Sequence, residues 1–558
     1  MVQVKFAPDN ITISVEEGTT ILQAARLAGV VIESPCNAVV TCGKCKVKLD
    51  KSSIKNVIST GAHHLSKQEE AAGFVLSCAA KVIGDVIVYV TKLELNESLK
   101  ILNHGKSFDF QINPRVKKKY VENEGVTRVY AGEQIIGTEA NNTENMKFGV
   151  VVDIGTTTMV ASLLDLSNGV EVSSTSSLNP QAIHAQDVLS RIKFASEESG
   201  LDTMYSGVIN EIKDMISETS KNAGVSSENI YEIILSGNTC MLHLATNINP
   251  SSLGRYPYTP QIHGGNYIKA SQHDFNISPF GLIYLPPIIS AYVGADITSG
   301  ILAAKLQEKD GVTLFVDIGT NGEMVLSLDG ELSAASTAAG PAFEGMNITH
   351  GMRASSGAIE FFNIEEDGNI MVKTIGNEKA IGICGSGLLD IVGELVKHGV
   401  IKKNGKFVDA DSEEVKPLLT ERLIKQEGKT IFKITDKVYL SQKDIRQVQL
   451  AKGAVRAGIE FLMRSKNITA DKVDKVLIAG SFGYHLRAKS LINIGLLPME
   501  FEDKIDFVGN TSKSGGQIFL LNESYRSEME KVVKKVDIIE LSSYEDFDKV
   551  FVQSLGFI

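Results

Sequence analysis

The chain has 558 residues, 43% of them hydrophobic and 22% charged, with 49 Gly and 13 Pro, a composition that excludes a disordered or fibrous protein. That length predicts roughly three to four domain-sized units. The formal charge is −11, from 56 Lys plus Arg against 67 Asp plus Glu, the wrong sign for a general nucleic-acid binder. No apolar run is long enough to span a membrane, since Lys81 and Asp85 interrupt one candidate and Pro286, Pro287 and Asp296 the other. The opening MVQVKFAPDN lacks the charged start and apolar core of a secretory signal, so a cytoplasmic protein without a membrane partner is expected.

In chain order, residues 2–6 and 11–15 read as two short strands, Gly18 as a turn and 20–29 as an apolar-periodic helix, the start of a β-grasp module assigned to residues 1–92. Four of the six cysteines, Cys36, Cys42, Cys45 and Cys78, fall here as C-x5-C-x2-C-x32-C. In a reducing compartment such clustering points to metal rather than disulfide. A 2Fe-2S cluster needs four thiolates, and one loop can wrap most of it while the last ligand arrives from across the fold. Gly43 suits the close approach of backbone to bridging sulfides. Structural zinc is the alternative, but such sites usually pair two C-x2-C units, and Cys78 has no near partner in sequence. His63 and His64 precede an expected capping box, Ser66 with Glu69, and read as loop residues. A strand over 82–90 closes the module. The cysteine spacing resembles that of plant-type and adrenodoxin-type ferredoxins.

Residues 93–146 read as a linker containing the basic run Lys117, Lys118, Lys119 and a small hairpin near 126–138. It is read either as a flexible tether for the cluster module or as a segment packed on its neighbour.

Beyond it the chain repeats itself. FGVVVDIGTTTMVASLLD, with Asp153, matches TLFVDIGTNGEMVLSLDG, with Asp317. Each copy is a β-branched run ending in Asp, a Gly-Thr turn and a second strand, so each predicts a hairpin whose tip presents backbone N–H groups to phosphate. Asp at the strand end can hold Mg2+ through water, and the Thr hydroxyls can reach phosphate oxygens. Neither a Walker P-loop nor a GxGxxG fingerprint is present.

These repeats resemble the actin-like (ASKHA) ATPase superfamily, which implies a duplicated ribonuclease-H-like α/β fold with halves at 147–310 and 311–558. PPIISAYVGADITSGIL and VGNTSKSGG look like its two connecting helices, KVLIAGSFG like its adenosine motif, and GICGSGLLD like a glycine-led helix start suited to phosphate or ribose. The resemblance implies ATP and Mg2+ as ligands. Gly155, Thr156, Thr157 and Thr158 fall on the first phosphate loop and Gly319, Thr320, Asn321 and Gly322 on the second. Gly385, Ser386, Gly387, Gly480, Ser481 and Gly483 are placed on the adenosine side, and Asp153, Asp317 and Glu323 carry the catalytic assignments, with Asp317 or Glu323 orienting water. Lys452, on a helix read as capped by Asp444, is a solvated lysine or an adenine contact. Cys384 and Cys240 with His243 read as packed residues, and His184 and His350 have no metal-ligand spacing around them.

A ferredoxin module joined to an actin-like ATPase, together with NPQAIHAQDVLSRI, LSGNTCM, AAGPAFEGM and DIRQVQLAKGAVRAGI, resembles the reductive activators of corrinoid proteins. That likeness implies ATP-dependent one-electron reduction of a corrinoid protein from Co(II) to Co(I), an upstream electron donor and a homodimer. Longer members carry a separate middle domain where only about 50 residues stand here, which predicts a reduced or missing one. The same parts also suit an ATP-driven electron donor to another low-potential iron-sulfur enzyme such as a dehydratase, or a redox-gated regulatory ATPase.

Overall fold

The structure is a computed structural model. It describes the whole chain except residues 8–10, 29, 31, 33–39, 41–44, 61–64, 66, 91–97, 104–105, 186, 353, 427 and 481–485, and except the side chains of 26, 67–68, 98–103 and 106–110.

Alternating apolar residues in VQVKFA turn Val2, Val4 and Phe6 inward and leave Gln3 outside. The strand Val2–Ala7 therefore pairs antiparallel with Ile11–Val15 and parallel with Val86–Tyr89, inside a five-stranded sheet that also takes Lys46–Leu49 and Phe74–Leu76. The helix Ile21–Leu27 contributes Ile21, Leu22, Ala24 and Ala25 to the same core. The single strand expected over 82–90 is two. Ala80–Val82 pairs with Val57–Ser59, and the chain then turns before Val86–Tyr89, where Asn56 Nδ2 donates to Asp85 O at 2.8 Å.

Residues 116–140 form a three-stranded antiparallel sheet, Val116–Val121, Val126–Ala131 and Gln134–Ala140. Strand alternation splits the basic run. Lys117 and Lys119 face solvent, while Lys118 is buried, paired with Glu139 at 2.7 Å and donating to the Tyr231 hydroxyl at 2.7 Å. Val116 and Val129 join a core with Tyr231, Tyr284 and Phe519, so this sheet is fastened to the elements that follow.

Two six-stranded sheets with the same plan come next. In the first, the order is Glu171–Leu178, Thr158–Asp165, Phe148–Ile154, Ile230–Gly237, Leu282–Leu285, Asn266–Lys269. In the second it is Glu331–Thr337, Gly322–Leu328, Val312–Ile318, Lys475–Ala479, Ile505–Gly509, with Asp537–Ile538 outside Glu331–Thr337. Each pairs an antiparallel three-strand meander with parallel strands on its far side. Both leading strands are apolar on both faces because helices and sheet cover them. Between the two halves the helices Ala295–Ala304 and Thr511–Leu521 pack directly on each other. A Cβ on Gly515 would stand 2.0 Å from Ser299 O, so glycine is required for the helices to cross this closely.

The helix Gln442–Ser465 starts differently from the expectation. Ser441 is its N-cap and Asp444 is the third residue of a capping box, its carboxylate also accepting from Thr349 N at 2.8 Å. Lys452 on this helix is not solvated: it is buried, donates to Gly556 O and lies 5.4 Å from the Phe557 ring centre. Burial pushes its ammonium down to about 7.

Candidate functional site

The two hairpin tips, the turn after Ile154 and the turn after Ile318, face each other across one cleft. They are brought there by the parallel partners of their strands: Ile154 pairs with Gly237 and Asp317 with Ala479. The cleft is lined by Asp153, Gly155, Thr156, Thr157 and Thr158 from the first half and by Asp317, Gly319, Thr320, Asn321 and Glu323 from the second. Gly480 also lines it. A Cβ on Gly155 would meet Thr158 O at 2.3 Å, which explains a glycine at the tightest point of the first tip. The loops meet at their hydroxyls, with Thr157 Oγ1 and Thr320 Oγ1 3.0 Å apart. Backbone N–H groups and hydroxyls converging from two sides suit a polyphosphate chain.

Five further residues of the cleft escaped the sequence reading: Asn238, Asp296, Glu344, Asn510 and Ser512. Each lies inside a segment whose backbone role was legible, but nothing local marked its side chain. Asn238 caps the helix Thr239–Ala245 and donates to Thr156 Oγ1 at 3.1 Å. Asn510 caps Thr511–Leu521, and its Nδ2 donates to Asp153 Oδ2 at 2.7 Å, while Ser512 Oγ donates to Asp153 Oδ1 at 2.7 Å. The start of a second-half helix thus grips the first-half aspartate. Glu344 accepts from Thr320 Oγ1 at 2.6 Å.

The carboxylates share one electrostatic condition. Burial, then Asp296, Asp153 and Glu344 in turn, push Asp317 up to about 8. Burial first and Asp153 among the charges push Asp296 up to about 7. Glu323 is raised well above its ordinary value by burial, Asp296 and Asp317, and Glu344 is raised by burial. Acids packed this way hold protons or need a cation. Among the described residues no group of three or more His, Cys, Asp or Glu is arranged as a complete metal cage. The arrangement instead suits an ion that keeps waters and shares phosphate oxygens.

Gly385, Ser386 and Gly387 open the helix Gly385–Lys397, with Cys384 at its N-cap, but they do not line the cleft. Ser386 Oγ donates to Glu360 O at 3.1 Å, and a Cβ on Gly387 would stand 2.0 Å from Ile359 O, so this turn packs helix against strand. Cys384 is buried and its Sγ lies 3.2 Å from Ile359 O. Ser481 and Gly483 lie outside the described residues. Cys240 is a core thiol that burial pushes up to about 12. His243 is fixed by Thr239 O at Nδ1, 2.8 Å, and by Gln261 N at Nε2, 3.0 Å. His184 stacks on Phe194, and His350 meets the Tyr439 ring edge-on.

In the N-terminal module Cys45 and Cys78 are brought side by side. Cys45 precedes the strand Lys46–Leu49, Cys78 follows Phe74–Leu76, and these strands pair antiparallel. Their sulfurs are 3.2 Å apart and buried. Two thiolates on one tetrahedral metal with bonds of about 2.3 Å stand about 3.8 Å apart, so a small outward shift makes the pair two corners of such a site. Cys36, Cys42, His63, His64 and Ser66 lie outside the described residues.

Comparison with known proteins agrees with both modules. Residues 4–82 match the family model of the 2Fe-2S iron-sulfur cluster binding domain, 148–309 that of the RACo middle region, and 311–558 that of the C-terminal domain of RACo, the ASKHA domain. The middle-region model therefore falls on the half that carries the first phosphate loop, not on 93–146. A solved structure, "Reductive activator for corrinoid,iron-sulfur protein", is 30% identical with a TM-score of 0.76, over 100% of this chain and 98% of that one. "Corrinoid activation enzyme RamQ" of Eubacterium limosum is 28% identical over 98% of this chain and 97% of its own length. "[Co(II) methylated amine-specific corrinoid protein] reductase" of Methanosarcina barkeri is 24% identical over 74% of this chain and 77% of its own. A cysteine module, two facing phosphate loops and a full-length match at this identity place the chain in the RACo family of reductive activators.

Proposed function

We propose that this protein restores a corrinoid partner to its active state, adding one electron to the partner's Co(II) to give Co(I) and drawing on ATP to make the transfer favourable. The observation that carries the proposal is the fusion, in one chain, of a cysteine-lined ferredoxin module with a cleft built from two phosphate loops. When bound, a 2Fe-2S cluster supplies a single low-potential electron, and its holders are Cys36, Cys42, Cys45 and Cys78. A plant-type centre works near −400 mV. If the corrinoid couple lies lower, every ~59 mV of gap costs tenfold in a one-electron equilibrium.

The chain's own groups account for the ATP half. The amides and hydroxyls of Thr156, Thr157, Thr158, Thr320 and Asn321 bind the phosphates from opposite sides. Asp317, Asp296 and Glu323 are the residues that would hold Mg2+, whose charge would displace the protons that burial otherwise keeps on them. Glu323 or Asp317 orients the attacking water. Because the two loops belong to different halves joined by two crossing helices, the phosphate chain sets how far the halves open, and a partner that docks better in one state is favoured by a few kcal/mol. An upstream reductant recharges the module, and the working form is a cytoplasmic homodimer. No helix among the described residues is long and apolar enough to cross a membrane.

The test is anaerobic: the reduced protein is mixed with a Co(II) corrinoid protein, and the Co(I) absorption is followed with and without Mg-ATP. Co(I) that forms only with Mg-ATP is expected. A cluster that stays reduced while ATP is hydrolysed would move the acceptor to another low-potential iron-sulfur enzyme.

A further inference from the structure

Two arginines among the described residues of the ATPase portion are buried, Arg191 fully and Arg526 nearly so, and they are compensated in opposite ways. Arg526 meets Glu232 through both its terminal nitrogens, at 2.8 and 3.0 Å. Arg191, with no exposed surface, meets no carboxylate at ion-pair distance among the described residues. Its Nε donates to Ala185 O at 3.0 Å, Nη1 to Gln181 Oε1 at 3.0 Å and to Met241 Sδ at 3.0 Å, and Nη2 to Thr156 O at 2.5 Å. Every partner is neutral. The acidic groups whose fields reach it are Cys240, a buried protonated thiol, and then the carboxylates of Asp187 and Glu344, neither of them at ion-pair distance. An unpaired cation held out of water is costly, and proteins retain one where an anion completes it.

The place where that charge sits is the back of the first phosphate loop. Thr156 O, which Arg191 clamps, belongs to the residue whose hydroxyl accepts from Asn238 and whose neighbour Thr157 touches Thr320. The segment before Arg191 makes the same connection: Asn179 Nδ2 donates to Gly155 O at 2.9 Å, and Asn179 N to Thr157 O at 2.8 Å. Carbonyls drawn backwards onto Asn179 and Arg191 leave the amides of the loop facing the cleft.

We propose that Arg191 is a positioning residue for the nucleotide's phosphates: from behind the first loop it fixes Gly155 to Thr157 and supplies a buried positive charge that the incoming phosphate chain neutralises. This rests on the cleft being the ATP site. The charge acts through the loop and not by contact, so its effect must scale with the charge of the ligand and not with its adenosine part.

The experiment uses the full chain and titrates adenosine, ADP and ATP by calorimetry. Arg191→Gln is expected to weaken ATP by about 30-fold or more, ADP less, and adenosine within about twofold. Arg191→Lys, which returns the charge without the planar fork, restores the preference for ATP over adenosine. Gln181→Glu keeps the size of the side chain but puts a carboxylate 3.0 Å from the guanidinium; it is expected to weaken ATP with the same grading while the chain stays folded, and it carries the test should Arg191→Gln fail to fold. A uniform loss for all three ligands, or unchanged ATP affinity in Gln181→Glu, would overturn the proposal and leave the ATP site standing. A wild-type chain that binds no ATP would overturn both.

Discussion

The two phosphate loops share a sequence motif and a fold, and burial raises both of their aspartates, but what meets each carboxylate differs. Asp153 of the first is held by Asn510 and Ser512, two donors from the opposite half. Asp317 of the second faces Asp296, Asp153 and Glu344, with no side-chain donor among the described residues, and is pushed up to about 8. Duplication supplied the same hairpin twice, and the segments arriving later in the chain made one copy a clasp between halves and the other an acid site. The lesson is that a repeated motif fixes where a side chain stands, while its protonation is decided by whatever packs around it.

The strongest way to break this comparison is to remove the acid. Asp317→Ala is expected to lower ATP-dependent Co(I) formation by about 100-fold or more, with the cluster's visible spectrum unchanged; loss of the spectrum would mean the modules are not separable. Cys45→Ser is the mirror experiment, abolishing electron delivery while ATP binding, read by calorimetry, persists. Next comes pH. The folded-state pKa of Asp317 lies above its ordinary 3.8, so the native chain binds the extra proton, and stability falls as pH rises from 3.8 toward about 8. Thermal melts of the nucleotide-free protein should therefore decline over that window, Asp317→Asn should flatten the decline, and Mg-ATP should flatten it too; an identical slope in Asp317→Asn would remove the acid site from the account. The smallest effect is on the clasp. Ser512→Ala deletes one hydrogen bond to a buried carboxylate and is expected to cost about 2 kcal/mol of stability in denaturant melts, with cluster content unchanged and a lesser loss of activity than Asp317→Ala.

Much of the scaffold was legible because it is written locally. The run VVVDIGTTT states strand, tight turn and strand within nine residues, and its second copy confirmed the spacing. The cleft's remaining side chains were not, because Asp296, Glu344 and the pair Asn510 and Ser512 lie in three separate segments and meet only when the halves close. Lys452 shows the same limit. Its helix segment QVQLAKGAVRAG gives no sign that Gly556 and Phe557, a hundred residues on, cover the ammonium. Lys118 sat in plain view within a basic run, and only the two-residue period of a strand explains why it alone turns inward to Glu139. Gly385 to Gly387 show a further demand that the sequence did not announce, since Ser386 donates to Glu360 O and a Cβ on Gly387 would meet Ile359 O.

The central claim is that ATP at the paired loops drives an electron from the N-terminal module to cobalt. The direct measurement is a single anaerobic turnover in which the pre-reduced protein is mixed with a Co(II) corrinoid protein and both chromophores are followed together. The account predicts one Co(I) formed for each cluster oxidised, and neither change without Mg-ATP. Cluster oxidation with full Co(I) yield in the absence of nucleotide would contradict it.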